Sequence, residues 1–286
     1  SVHDAAIGPY TGKQTGELAL LRRLLGSFDA GDVAVCDRYY CSFMMIALLQ
    51  NLGVDVCARL HHKRHTDFRR GKRLGDDDRL ITWSRPARPE WMDEATYAGI
   101  PQTLTLRLIR YQVTEPGFRT QTITVVTTLT DPDRDSAQDI ADLSGFRWNA
   151  ELDIRSIKAS LHLEHLRCKS PAMIRREFWT KLLAYNLIRS TAAAAALVHG
   201  KQPRQISFTS TCQYVLRSWM LISCGLIPPS ALRHHATQLL RRIAQCEVAN
   251  RPGRFEPRVV KRRPKPHKLM TRPRDQLRAE MRKQPT

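Results

Sequence analysis

Arg147-Trp148-Asn149-Ala150-Glu151-Leu152-Asp153-Ile154-Arg155-Ser156-Ile157-Lys158 is the stretch on which the reading of this chain turns. At roughly 100° per residue, a helix sets Arg147, Glu151, Arg155 and Lys158 at about 0°, 40°, 80° and 20° on the wheel. One carboxylate and three cations share a single narrow stripe. Ile154, Ile157 and Leu161 flank it on one side, Trp148 and Leu152 on the other. Asn149, Asp153, Ser156 and Ser160 make a second polar face on the opposite side. A solvated helix needs one polar face, so a second one bordered by apolar residues predicts a cleft. A ladder of i,i+4 salt bridges, about 0.2–0.5 kcal/mol each, would show the same spacing. The apolar borders and the charge of the whole chain favour a cleft that holds a metal ion and a polyanion together.

That charge is large. The 286 residues carry 46 Lys and Arg against 27 Asp and Glu, a net charge of +19. Such an excess points to a polyanionic partner, nucleic acid first. The length allows one large domain or two modest ones, and 42% hydrophobic residues suffice for a core. No apolar run reaches the roughly 18 residues of a membrane span, and no signal peptide is evident, so no membrane partner is expected. Seven dispersed cysteines without C-x-x-C pairs fit reduced thiols of a cytoplasmic protein. The cluster Cys57, His61, His62 and His65 fits no common zinc-ligand spacing.

Hydrophobic patterning predicts an α/β chain. Ser1 to Gly8 reads as a strand, 15–25 as a helix, Val33–Cys36 as a short buried strand, 42–52 as an apolar helix and 54–60 as the next strand. The stretch 61–120 is basic at its start and turns β-rich, continuing into the β-branched strand 121–129. Helix resumes near Ser136 and dominates from 166 to 246. The last 36 residues hold thirteen Lys and Arg, three acids and six prolines, a composition that predicts a disordered basic tail suited to nonspecific phosphate binding.

Asp37 follows the buried strand Val33–Cys36, at the strand end where open α/β sheets bind ligands. A strand-end cap or a pairing with Arg38 would account for it locally. Paired with Glu151 from a later helix, it would bind a hard divalent ion through oxygen, Mg²⁺ or Mn²⁺. Two such ions clamp the attacking and leaving oxygens of a phosphodiester.

At these residues the chain resembles the DDE transposases of the bacterial insertion-sequence-four group. Their signature is Tyr, two residues, Arg, three residues, Glu, six residues, Lys. Arg147, Glu151 and Lys158 stand at those spacings, while Ser144 occupies the tyrosine position. Asp37-Arg-Tyr-Tyr-Cys-Ser resembles the segment of the second catalytic aspartate. Leu163-Glu-His-Leu-Arg-Cys-Lys-Ser-Pro and Leu182-Leu-Ala-Tyr-Asn-Leu-Ile-Arg resemble the segments after the signature. The likeness runs from Ser1 to about Leu240.

The resemblance implies a ribonuclease-H-like mixed sheet (1–60 and 121–165) with a β-rich basic insertion (61–120), a helical C-terminal region (166–246) and the basic tail (247–286). It implies DNA transposition at insertion-sequence ends by metal-dependent strand cleavage and strand transfer. Asp37 and Glu151 become catalytic metal ligands, Arg147 and Lys158 phosphate contacts, with Arg155 assisting. Double-stranded DNA at the transposon ends and target, a homodimer on DNA and a bacterial cytoplasmic, nucleoid-associated location follow. Trp83 or Trp91 would stack on a base or, in the plainer reading, pack in the core. The first catalytic aspartate is expected on a strand before Ser1, and Asp4 does not take its role. The expectation is therefore a fragment inactive by itself. The competing readings are a catalytically inactive DNA-binding remnant and a related metal-dependent nuclease.

Overall fold

The computed structural model describes residues 1–9, 11–12, 15–61, 64, 66–113, 121–248 and 272–283, and these fall into two compact units. The larger comprises the described residues up to 248, and the smaller is 272–283.

In the larger unit, helix α1 (Glu17–Arg23) precedes strand β1 (Val33–Cys36). Helix α2 (Phe43–Asn51), apolar from Phe43 to Leu49, returns the chain to β2 (Asp55–Arg59), parallel to β1 in the register Val33↔Asp55 to Cys36↔Ala58. Strands β3 (Lys72–Gly75) and β4 (Asp78–Ser84) form an antiparallel hairpin. Gly71 enters it at φ +87°, where a Cβ would meet the Leu80 carbonyl oxygen at 2.1 Å, so only glycine fits. The short helix α3 (Glu94–Ala98) leads to the long β5 (Thr103–Val113) and then β6 (Gln121–Thr127). One mixed sheet results, in the order β1-β2-β6-β5-β4-β3. Its 61–120 portion contributes β3, β4 and β5 to the same ladder as β1 and β2.

Strand alternation divides the sheet's side chains between two cores. Val56, Ala58, Leu106, Leu108 and Val126 pack with Phe43, Ile46 and Leu49 of α2. Cys57, Ile109 and Val125 point the other way, onto Ile140 of helix α4 (Ala137–Gly145). Ser136 and Asp139 close a reciprocal capping box at the start of α4. Helix α5 (Arg147–Arg155) follows and opens into a π turn, Ser156–Ser160. Helices α6 (Pro171–Val198), α7 (Phe208–Ser223) and α8 (Leu232–Ala244) pack on one another around Ala192, Ala196, Ile206, Val215 and Ile243. Ser170 and Ser207 cap α6 and α7 with side-chain oxygens.

Two expectations change. Ser1 to Gly8 is not a strand. The side-chain amide of Asn186 on α6 takes the place of a strand partner: Val2 N donates to Asn186 Oδ1 at 2.7 Å, and Asn186 Nδ2 donates to the Val2 carbonyl at 2.8 Å. The tail expected to be disordered from 247 is ordered at both of its described parts. Glu247 bridges Ile206 and Val248 N donates to the Gln205 carbonyl. In the smaller unit, helix α9 (Arg274–Lys283) carries an Arg272–Glu280 ion pair at 2.5 Å. Alternating charges along α9 support a helix that buries little. The remainder of the tail lies outside the described residues.

Arg107 of β5 is 1% exposed and chelates Asp78 of β4, with Nη2 2.6 Å from Oδ2, while its Nη1 donates to the Asp135 carbonyl. The pair ties the outer hairpin to the loop before α4. Asp78→Ala, which strands a buried guanidinium, is expected to cost about 3–5 kcal/mol in urea unfolding. Asp78→Leu combined with Arg107→Met is expected to recover most of that loss.

Candidate active site

The parallel register that ends at Cys36↔Ala58 places Asp37 beside Arg59 at the carboxyl ends of β1 and β2. Asp37 is exposed and caps a single 3₁₀ turn, its Oδ1 accepting from Arg38 N at 2.7 Å. Its Oδ2 accepts no hydrogen bond among the described residues. Arg59 is half-buried. Burial lowers its affinity for a proton, as does repulsion from Arg38 and Arg147, while Asp37 and Tyr111 oppose them. Arg147 opens α5, so Arg59 feels charge from both the strand end and the start of that helix.

On α5, Arg147 Nη1 lies 2.6 Å from Glu151 Oε1, an i,i+4 pair with side chains 25% and 43% exposed. Arg155 and Lys158 are exposed and make no ion pair among the described residues. Lys158 sits in the π turn, where the 100° wheel no longer applies. Behind it, His162 is held at φ +52°, a left-handed conformation uncommon for a side-chain-bearing residue. Ser144, at the signature tyrosine position, lies in the last turn of α4, half-buried.

The helix is turned differently from the sequence reading. Trp148 and Ile154, expected to hem in the stripe, are 52% and 50% exposed. Asp153, placed on the solvated face, points inward. Arg204 grips both of its oxygens at 3.1 and 2.8 Å, and Arg189 of α6 donates to Oδ1 at 2.9 Å. Arg189 also donates to the Tyr185 hydroxyl at 3.0 Å, and Tyr185 is fully buried. Burial opposes ionisation of Asp153. Hydrogen bonds from Arg204 and Tyr185 and the charges of Arg204 and Arg189 outweigh it, holding the carboxyl below its usual range. Two arginines that need a carboxylate thus outcompete solvent for this face, and the Arg147/Glu151 side borders the open surface.

The segment after the π turn is fixed by Glu177 and Lys181 of α6. Glu177 accepts from the backbone N of Arg167 and Cys168, and pairs with Lys181 at 3.0 Å. The Cys168 amide and then Lys181 pull its carboxyl down to about 2. Lys181 also donates to the carbonyls of His162 and His165.

The sequence model described as Transposase DDE domain matches residues 2–187, the span that contains Asp37, Arg147, Glu151 and Lys158. The chain belongs to the DDE transposase family. It is similar to transposase InsG for insertion sequence element IS4 of Escherichia coli K12, at 28% identity over 263 residues. That alignment covers 88% of this chain and 55% of InsG, so the chain spans about half the length of the curated relative it matches.

DDE transposases depend on a divalent metal, and Asp37 and Glu151 are donors of the right kind. They are two carboxylates, and no group of three His, Cys, Asp or Glu able to hold a metal occurs among the described residues. The donors present therefore fit part of a ligand set. Cys57 is buried in β2, its thiol pushed up to about 12 by burial, and His62 and His65 lie outside the described residues. Trp83 lies under Arg64 at 3.8 Å and Trp91 under Arg22 at 3.9 Å, both packed against the main core. No described helix is long and apolar enough to cross a membrane.

Arg59 and the Asp153 cluster were not found from sequence. A single arginine at the end of a strand gives no signal until register sets it beside Asp37. Asp153→Asn is expected to lower stability at pH 7 by about 1.5–3 kcal/mol, since it weakens charged hydrogen bonds. The Asp153 pKa is depressed on folding, so wild-type stability from this group is present above about pH 4 and lost as pH falls through the lowered value. Denaturation midpoints of the two proteins are expected to converge in acid.

Proposed function

We propose that the chain carries the catalytic region of a DNA transposase that cleaves and rejoins DNA strands at the ends of an insertion sequence. The observation that supports this reading is at Arg59, which stands beside Asp37 at the strand ends and feels the charge of Arg147, the first residue of the helix bearing Glu151. Asp37 and Glu151 would hold Mg²⁺ or Mn²⁺ together with a further carboxylate. A bound metal pair supplies activation of water and stabilisation of the leaving 3′ oxygen.

The remaining roles fall to the chain's own cations. Arg147 is oriented by Glu151 and presents its fork to a backbone phosphate, a charge-assisted and geometrically specific contact. Lys158 and Arg155, neither in an ion pair among the described residues, add point charge along the same strand. Arg59, crowded by like charges, gains from any phosphate that enters between it and Arg147. The basic hairpin region around β3 grips duplex DNA beyond the site. The substrates are transposon-end and target DNA, and the working form is a dimer on DNA at the bacterial nucleoid. The division into a core of 1–60 and 121–165 with a β insertion, a helical region and a basic tail belongs to the same proposal.

A second reading, a DNA-binding protein without catalysis, rests on the net charge of +19, which favours phosphate binding with or without a metal site. Incubation of the purified chain with insertion-sequence-end duplex and Mn²⁺ separates the two. Catalysis is expected to produce nicks that fall by on the order of 10²-fold or more in Asp37→Asn and in Glu151→Gln. Retained DNA binding with no metal-dependent nick establishes the second reading.

A further inference from the structure

Between Glu177 and Glu247 the sequence contains no Asp or Glu, in a chain that has 27 of them. This acid-free stretch forms most of α6 and all of α7 and α8. Its cations fall into two groups. Lys181, Arg189, Lys201 and Arg204 are neutralised by carboxylates outside the stretch: Glu177, Asp153 (twice) and Glu247. Arg217, Arg233, Arg241 and Arg242 make no ion pair among the described residues, and all four are exposed.

These four gather on one part of the helical region. Helix α8 buries Ile243 and Ala244 and half-buries Leu239 and Leu240 against α6 and α7. On a wheel of roughly 100° per residue its outward arc carries Arg241, His234 and the capping Gln245, with Arg242 at one edge; Arg233, in the first turn, falls on the wheel between Leu240 and Ala244 and is exposed there. The hydrogen bond between Ser218 and His235, 2.7 Å long, brings the turn of α7 that contains Arg217 against the turn of α8 that contains Arg233. A helix face of arginines with hydrogen-bonding Gln and His between them, and no carboxylate in either helix, is complementary to a regularly spaced polyanion.

We infer that the outward face of α8, with Arg217 of α7, is a second DNA-binding surface that takes the phosphate backbone of duplex DNA without reading its sequence. Arginine side chains supply the phosphate contacts, and Gln245 and His234 add neutral hydrogen bonds to the same strand. The ligand class rests on the reading that this chain acts on DNA; the location does not.

Photo-crosslinking from a benzoylphenylalanine placed singly at Gln245 on α8, or at Ala150 beside Glu151, tests the two separately in the full chain with a random-sequence duplex. Crosslinks from both positions are expected. A crosslink from Gln245 alone supports the α8 surface while the reading of the Asp37/Glu151 site as a DNA site fails. A crosslink from Ala150 alone overturns the α8 surface, and none from either overturns both. The triple variant Arg233→Ala, Arg241→Ala, Arg242→Ala is further expected to make the log–log salt dependence of DNA affinity shallower by about 2.7, or roughly 0.9 for each phosphate that is no longer neutralised. An unchanged slope in a folded variant overturns the proposal. So does a triple variant that ceases to float with phosphatidylglycerol vesicles, when the Gln245 derivative gives no DNA crosslink, since the occupant is then an anionic lipid surface.

Discussion

Strand β2 is the element on which the rest depends, because it is paired in parallel on one edge and antiparallel on the other. Side chains alternate with a period of two, so a slip of one residue would exchange Val56 and Ala58 for Cys57 between the two cores. The same slip would carry Arg59 away from Asp37. Register in the sheet and composition of the site are thus one constraint. The hydrophobic demand of α2 on one face and α4 on the other enforces it, and the placement of Asp37 beside Arg59 inherits it.

Two ion clusters extend this frame outward by different means. Arg107 and Asp78 lie within the sheet and tie its outer hairpin to the loop entering α4. Asp153 with Arg189 and Arg204 lies between α5 and the helical region, and it decides which side of α5 looks outward. Both are fully hydrogen-bonded, which is the condition under which such groups specify a single arrangement. In the second, the carboxylate stands two residues from Glu151, so the ion cluster that orients α5 is built into the same helix.

Much of this was legible in the residues. The apolar runs Val33–Cys36 and 42–52 announced β1 and α2, and the β-branched run 121–129 announced β6. The spacing of Arg147, Glu151 and Lys158 predicted a helix, and α5 with its π turn occupies that stretch. What failed had a common cause, namely partners remote in sequence. Val2 looked like a strand because its apolar neighbours resembled one, yet its backbone is satisfied by an amide side chain. Asp153 looked solvated because helix periodicity counts polar residues and says nothing about two arginines waiting 36 and 51 residues away. The π turn likewise leaves no mark in a pattern read at 100° per residue.

The grip of Asn186 on Val2 spans 184 residues. During synthesis the first residues emerge long before α6 exists, and their hydrogen-bonding groups stay with water until Asn186 arrives. Closing so large a loop is entropically costly and kinetically slow. Residues 1–8 are therefore expected to take their native place late, once α6 is there to hold Val2.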